Sequence, residues 1–174
     1  MAAALVTLFV SAACGHLPWS GGNDLTAAAC PAAAVLRPLA GTAIFGKPDM
    51  EMRPTDVMYY GVLSEIDAKC AVNGDTLQAS LDIIVAAERG PATKADSVDL
   101  TYFLAVVGPN DSILSKTSYG VHVDVPRDSK RGAVNDHIDL TVPLRGLAPS
   151  ALQIVVGFQQ TQQVIDFYQH FRGR

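Results

Sequence analysis

The residues best spaced for chemistry are Asp136, His137 and Asp139, which lie in one short segment. In a β-strand, residues two positions apart share a face, so His137 and Asp139 would lie side by side. A carboxylate beside an imidazole can orient it as a general base. A hydrolase built on His137 would also need a nucleophile, and no serine lies in a GxSxG turn. The favoured interpretation is a row of polar side chains on a solvent-facing strand, and we expect no enzymatic activity.

Metal and cofactor binding have little support. Met50, Met52 and Met58 lie close together, and thioethers suit Cu(I), but methionine more often fills a core. The four histidines are scattered, and the chain contains no CxxC pair. Neither GxGxxG nor GxxxxGK[ST] occurs, so nucleotide binding lacks its motifs. We expect no metal and no cofactor.

Two classes of ligand can be weighed from charge and aromatic content. The formal net charge is −4 and the pI is near 5.4, which argues against a nucleic-acid partner. The local basic cluster at 127–131 has the pattern of a solvated loop.

A small-ligand module would need a pocket lined by aromatic side chains. Four candidates for such a lining are Tyr59, Tyr60, Tyr102 and Phe103.

The elements that would position these residues are β-strands. From Leu77 to Ala87 apolar residues alternate with mostly polar ones, and Asn73-Gly74-Asp75 before them is a hairpin turn signal. The predicted strands cover residues 33–39, 56–70, 77–87, 98–107, 112–125, 138–144 and 151–159. A loop is predicted around Gly46 and Pro54, and a bulge at Gly61.

The ends of this pattern carry two further predictions. Pro143 cannot donate to a sheet ladder, so its strand should lie at an edge or end near that residue. After the last strand, Val164, Tyr168 and Phe171 have helical spacing, and Thr161 could cap the helix. Short strands joined by turns favour an all-β fold. We predict an antiparallel β-sandwich of about seven strands, immunoglobulin- or fibronectin-III-like, with a short C-terminal helix.

The N-terminal segment differs in composition from the rest of the chain. The run from Ala2 to Ala13 is apolar, and no Asp, Glu, Lys or Arg precedes Asp24. Twelve residues are too few for a spanning helix, which needs about 20. They fit the apolar region of a secretory signal, which needs roughly 7–15.

Residues 9–15, FVSAACG, end this run in small side chains followed by Cys14. This segment resembles a bacterial lipoprotein signal, whose lipobox ends in a cysteine that becomes lipidated. The resemblance implies a signal peptide at 1–13, a lipid-anchored linker at 14–30 and a β-sandwich domain at 31–174. Ordinary secretory cleavage before Cys14, or an N-terminal strand buried in the domain, are the alternatives.

The chain as a whole resembles small bacterial envelope lipoproteins that carry a β-sandwich and have no assigned activity. The resemblance implies a membrane-anchored periplasmic protein that acts by interaction with another envelope protein. In such lipoproteins, an Asp directly after the cysteine favours retention in the inner membrane. This chain has Gly15 at that position, which favours the outer membrane. The alternative function is a periplasmic small-ligand or metal-binding module.

Cysteine number is consistent with this compartment. In a secreted protein with three cysteines, two can form a disulfide within the chain and the third has no cysteine to pair with. If Cys14 takes lipid, Cys30 and Cys70 remain as a pair, and an oxidising periplasm permits a disulfide between them. The alternative is two unpaired thiols.

Overall fold

The computed structural model describes residues 30–46 and 52–171. Within these ranges the chain forms eight β-strands and one α-helix. In chain order they are β1 (Ala32–Val35), β2 (Gly41–Phe45), β3 (Val57–Asn73), β4 (Thr76–Arg89), β5 (Ser97–Val107), β6 (Ile113–Asp124), β7 (Arg131–Pro143), β8 (Gln153–Phe158) and α1 (Gln162–Phe171). The alternating apolar pattern therefore correctly predicts an almost entirely β fold.

The strands form two four-stranded sheets, with the order β1-β8-β5-β6 in the first and β2-β3-β4-β7 in the second. The predicted β-sandwich is confirmed. All pairings are antiparallel except that of β1 with β8, which is parallel. The additional strand is β2, which lies in a stretch that the sequence analysis left without a strand. Each sheet has two edge strands, β1 and β6 in the first sheet and β2 and β7 in the second.

The core lies between the sheets, and β4 contributes one continuous row to it. The six alternating residues of this row are almost fully buried: Leu77, Ala79, Leu81, Ile83, Val85 and Ala87. Full burial of a side chain of leucine or valine size stabilises a fold by roughly 1.5–3 kcal/mol. The predicted hairpin is also confirmed, because Asn73 pairs with Thr76 across a turn in which Gly74 has a φ of 59°. Such a positive φ favours glycine.

Three strand details differ from the sequence predictions. The first strand ends at Val35 because a 3₁₀ turn containing Pro38 follows it. The bulge in β3 lies between Leu63 and Glu65, whereas Gly61 sits in regular register. A Cβ at Gly61 would lie 2.8 Å from the Thr42 Cγ2 atom, so this glycine makes room for packing. β7 begins at Arg131, seven residues before the predicted start, because it continues along the full length of β4.

The C-terminal helix is confirmed as α1. Its Val164 and Phe167 are buried, and Phe167 packs with Ala43 and Val57 in a small second core. Phe167 was not in the predicted apolar stripe, and Phe171, which was, is 42% exposed. In the described part of the chain no helix is long and apolar enough to cross a membrane.

A disulfide links the two sheets. Cys30 lies just before β1 of the first sheet and Cys70 lies on β3 of the second, with their Cα atoms 5.8 Å apart. This geometry agrees with the predicted pairing.

The predicted signal peptide, Cys14 and the linker up to residue 29 lie outside the described residues. Pro143 is the last residue of edge strand β7, as predicted.

Candidate functional site

His137 lies on the outer face of the second sheet between two carboxylates. The β4–β7 register sets Asp82 directly opposite His137, and strand alternation places Asp139 beside it. The His137 Nδ1 atom is 3.0 Å from Asp82 Oδ1, and its Nε2 atom is 3.4 Å from Asp139 Oδ1. The predicted His137–Asp139 neighbourhood is therefore present. Asp136 points the other way, toward the space between the sheets, and is not part of this row.

The arrangement around His137 does not form a nucleophile–base pair. The candidate nucleophile in this row is Ser80, which pairs with Asp139 in the strand register. Its hydroxyl donates to Asp139 Oδ1 at 2.5 Å and not to the imidazole. Both ring nitrogens of His137 already face carboxylates on opposite sides of the ring. This geometry suits a protonated imidazole that bridges two acids.

A second row of the same composition lies on the outer face of the first sheet. His122 on β6 has its Nδ1 atom 2.7 Å from Asp99 Oδ1 on β5 and its Nε2 atom 3.4 Å from Asp124 Oδ1. Each row is thus a His-x-Asp segment of an edge strand facing an aspartate of the neighbouring strand. The sequence analysis missed this likeness. The repeated His-x-Asp spacing could have revealed two residues of each row, and the strand pairing supplies the third.

The carboxylates change the protonation of both histidines. The hydrogen bond to Asp82, followed by the charge of Asp139, raises the pKa of His137. The hydrogen bond to Asp99 likewise raises the pKa of His122. Conversely, the hydrogen bond from His137 holds the pKa of Asp82 below its usual range. The rows are solvent-exposed, with 56% of each imidazole side chain accessible, so their individual contributions to stability are small.

These pKa shifts determine how the stability of the fold should change with pH. A raised histidine pKa stabilises the fold below about pH 6.5, and this stabilisation is lost as the pH rises through the folded-state pKa. The lowered pKa of Asp82 stabilises the fold above about pH 3.9, and this stabilisation is lost on acidification. The contribution of the His137 row is therefore largest between these two values.

We expect the unfolding free energy of wild type to fall between pH 6 and pH 8, and His137→Gln to flatten this fall. Urea unfolding at a series of pH values measures this difference. His170→Gln is the matched control, because the Nδ1 atom of His170 contacts the backbone carbonyl of Asp166 instead of a carboxylate. Equal slopes for wild type and His137→Gln would contradict the assignment.

Asp136 instead connects the two sheets. It accepts a hydrogen bond of 2.6 Å from the hydroxyl of Tyr102, which is fully buried on β5. The Tyr102 ring stacks on Tyr119 with centroids 5.6 Å apart. Burial, followed by this hydrogen bond, raises the pKa of Tyr102, so the phenol stays protonated and donates. The contact is structural, and it places a carboxylate on the inward side of edge strand β7.

We expect Tyr102→Phe to lower the free energy of unfolding by about 2 kcal/mol, because it leaves the half-buried Asp136 carboxylate without this donor. Chemical denaturation measures the loss. Tyr119→Phe is the matched control, since it removes one hydroxyl from the neighbouring ring and keeps the Tyr102–Asp136 bond. A loss no larger than that of the control would show that the inter-sheet bond contributes little.

The aromatic residues considered for a ligand pocket lie in different environments. Tyr59 and Tyr102 are buried between the sheets, and Tyr60 packs in the second core near α1. Phe103 lies on the opposite face of β5 from Tyr102, and the Lys116 Nζ atom is 4.2 Å from its ring centroid. The four rings therefore do not share a cavity.

A shallow groove lies between edge strands β6 and β7 at one end of the sandwich. Its volume is about 130 Å³, below the roughly 300–1,000 Å³ that is typical of small-ligand pockets. Its lining consists of Leu114, Ser115, Thr141, Val142, Pro143, Leu144, Arg145 and Leu147. None of the four aromatic candidates lines this groove.

Within the described part of the chain, the methionines and acidic groups do not assemble a metal centre. Met52 packs in the second core and Met58 against the main core, while Met50 lies outside the described residues. Among residues 30–46 and 52–171, no three His, Cys, Asp or Glu side chains are placed to hold one ion. In both aspartate–histidine rows the carboxylates flank the ring and do not converge on a common point.

The basic cluster at 127–131 is largely neutralised by acids. Arg127 Nε lies 3.0 Å from Asp96, which also accepts a bond of 2.8 Å from Arg89. The Arg89 guanidinium, followed by that of Arg127, holds the pKa of Asp96 below its usual range. Arg131 pairs with Glu88 at 2.6 Å. These pairs agree with a surface loop more than with an anion site.

Comparison of the chain with protein-family models, with curated proteins and with solved structures gives no match.

Proposed function

We propose that this chain is a membrane-anchored periplasmic lipoprotein of the cell envelope that acts by protein interaction and not by catalysis. The observation that carries the proposal is the uncharged leader that ends in small residues and Cys14. The disulfide geometry of Cys30 and Cys70 supports it, because such bonds persist in oxidising compartments. One acyl chain binds a bilayer only marginally, whereas the multiple chains of a lipoprotein hold it stably.

The direction of the chain supports an orientation for the anchored domain. β1 begins beside the start of β8, since Ala32 pairs with Gln153, and Gln153 also pairs with Val107 at the end of β5. The β5–β6 connection therefore lies at the end of the sandwich where the anchored segment joins. Ile113, 65% exposed, and Leu114 lie at this same end. We infer that this end faces the membrane and that the opposite end is presented to partners.

The polar clusters support a non-catalytic role. His122 and His137 are each engaged by two aspartates, and the Ser80 hydroxyl beside the His137 row donates to a carboxylate. An interaction protein requires exposed strand edges and loop ends, which the sandwich supplies.

The proposal is tested by fractionating cells that express the full chain. Wild type is expected in the membrane fraction, and Cys14→Ser in the soluble periplasmic fraction. Gly15→Asp is the matched control, because it keeps the cysteine and should remain membrane-bound while moving toward the inner membrane. Sedimentation of Cys14→Ser with the membranes, as for wild type, would refute the lipid anchor.

A further inference from the structure

Three exposed apolar side chains lie at the end of the sandwich where the described chain begins. Ile113 and Leu114, the first residues of β6, are 65% and 44% exposed, and Val72, near the end of β3, is 41% exposed. We call these three residues the apolar tip. The other large apolar residues exposed in the described part of the chain lie elsewhere: Val62 is ten positions back along β3, and Phe171 ends α1. Single exposed apolar side chains are ordinary, whereas a group at one end indicates a contact surface.

Backbone contacts bring the residues of the apolar tip to one end of the sandwich. Leu114 lines the shallow groove together with the segment 141–147. Within this segment, the backbone N–H of Leu144 donates to the carbonyl of Asp75, which lies in the β3–β4 turn, at 2.8 Å. Val72 is the last residue but one of β3, directly before that turn. The start of β6 in one sheet and the end of β3 in the other therefore belong to the same end surface.

We propose that the apolar tip contacts the lipid bilayer itself, a second attachment that rests on the lipid anchor proposed above. Cys30, the first described residue, forms its disulfide with Cys70, two positions before Val72. Residues 14–29 separate the proposed lipid from Cys30, and a segment of this length spans at most about 55 Å. The anchor therefore keeps the tip close to the bilayer at a high effective concentration, so that a contact too weak to act alone can form.

The β5–β6 turn beside the tip can approach the headgroups without leaving backbone groups unpaired. The backbone N–H of Gly108 donates to the carbonyl of Ser112 at 2.8 Å, and the Ser112 hydroxyl donates to the carbonyl of Pro109 at 2.9 Å. Unpaired backbone groups would be costly in lipid. Asp111 in the same turn is exposed, and its carboxylate has to stay in water. The contact is therefore shallow, at the boundary between the headgroups and the acyl chains.

The charges near the tip balance one another. Within three positions of the tip residues along the chain lie two acids, Asp75 and Asp111, and two cations, Lys69 and Lys116. An electrostatic membrane site would carry an excess of cations. The contact is instead driven by burial of apolar side chains, so zwitterionic lipid is sufficient to form it.

Quenching of one tryptophan by brominated lipid tests this contact. The full chain is purified with its lipid and reconstituted into phosphatidylcholine vesicles whose acyl chains are brominated near the headgroups. Trp19, the one tryptophan of the sequence, is first replaced by Phe. Ile113→Trp in this background should lose about half of its fluorescence or more relative to unbrominated vesicles, because the tip reaches the acyl boundary. Val62→Trp is the matched control, since Val62 is as exposed as Leu114 but lies roughly 33 Å along β3 from the tip, and its fluorescence should not change.

A second substitution tests whether apolar burial drives the contact. Leu114→Asp in the Ile113→Trp chain should reduce the quenching about threefold or more, because a charge is then placed at the acyl boundary. Val62→Asp in the same chain is the matched control and should leave the quenching unchanged.

Two results would overturn the contact of the tip while leaving the anchor intact. The first is equal quenching at positions 113 and 62. The second is a blue-shifted Ile113→Trp emission that bromine does not quench, because protein and not lipid would then cover the tip. Flotation of the same samples reports the anchor separately. A chain that floats with the vesicles without quenching overturns the tip contact alone, and a chain that does not float overturns the anchor and the tip contact together.

Discussion

A Cys30→Ser/Cys70→Ser variant should lose about 4 kcal/mol of unfolding free energy relative to the oxidised wild type. The two cysteines are 40 residues apart, and the bond restricts the unfolded chain over this loop. The loop includes β1 and β2, which are short edge strands of different sheets. β1 is short and pairs with β8 at four register positions, so the bond also tethers a weakly paired strand.

Urea unfolding with and without reductant measures this effect. Reductant should bring wild type down to the stability of the variant and leave the variant unchanged. The midpoint of thermal unfolding should fall by roughly 10 °C for a chain of this size. If oxidised wild type and the variant unfold at the same urea concentration, the disulfide does not stabilise the fold.

Gly132→Ala is the second substitution with a large expected effect, a loss of about 3 kcal/mol. Gly132 lies near the start of β7, and a Cβ there would approach the backbone carbonyl oxygen of Asp124 to 1.8 Å. A backbone atom cannot rotate away as a flexible side chain would. The end of β6 and the start of β7 would therefore have to separate.

Gly120→Ala is the matched control because Gly120 also lies on an edge strand, and its Cβ would meet open space. This change should be neutral or slightly stabilising, since alanine has less conformational freedom in the unfolded chain. Denaturant unfolding of the two variants compares them directly. Equal stabilities would show that the β6–β7 connection is not closely packed at Gly132.

The predictable parts of the fold are those determined by local pattern. The alternation from Leu77 to Ala87 identifies β4 and its buried face, and Asn73-Gly74 identifies the hairpin before it. β2 was missed because Gly41–Phe45 is too short to show a period. Its Ala43 is buried in the second core, where it packs with Val57 and with Phe167 of α1. Burial of this kind depends on elements more than a hundred residues apart, which a local window does not contain.

The polar rows illustrate the same limit at the candidate site. The spacing of His137 and Asp139 correctly places them on one face. That Asp82 lies opposite His137 follows from the β4–β7 register, which joins residues 55 positions apart. Alternation places Asp136 on the opposite face with Ile138, but the sequence does not show the donor, Tyr102, that makes an inward carboxylate acceptable there. The sequence therefore predicts that His137 and Asp139 share a face, but it does not identify Asp82 as the third member of the row.

The decisive measurement is the intact mass of the protein isolated from the cells that produce it. A polypeptide whose first residue is Cys14, bearing a diacylglyceryl group on the sulfur, is the predicted result. It would mean that residues 1–13 act only as a delivery signal and that lipid holds the domain at the envelope. A product that retains Met1 and carries no lipid would contradict export and anchoring together.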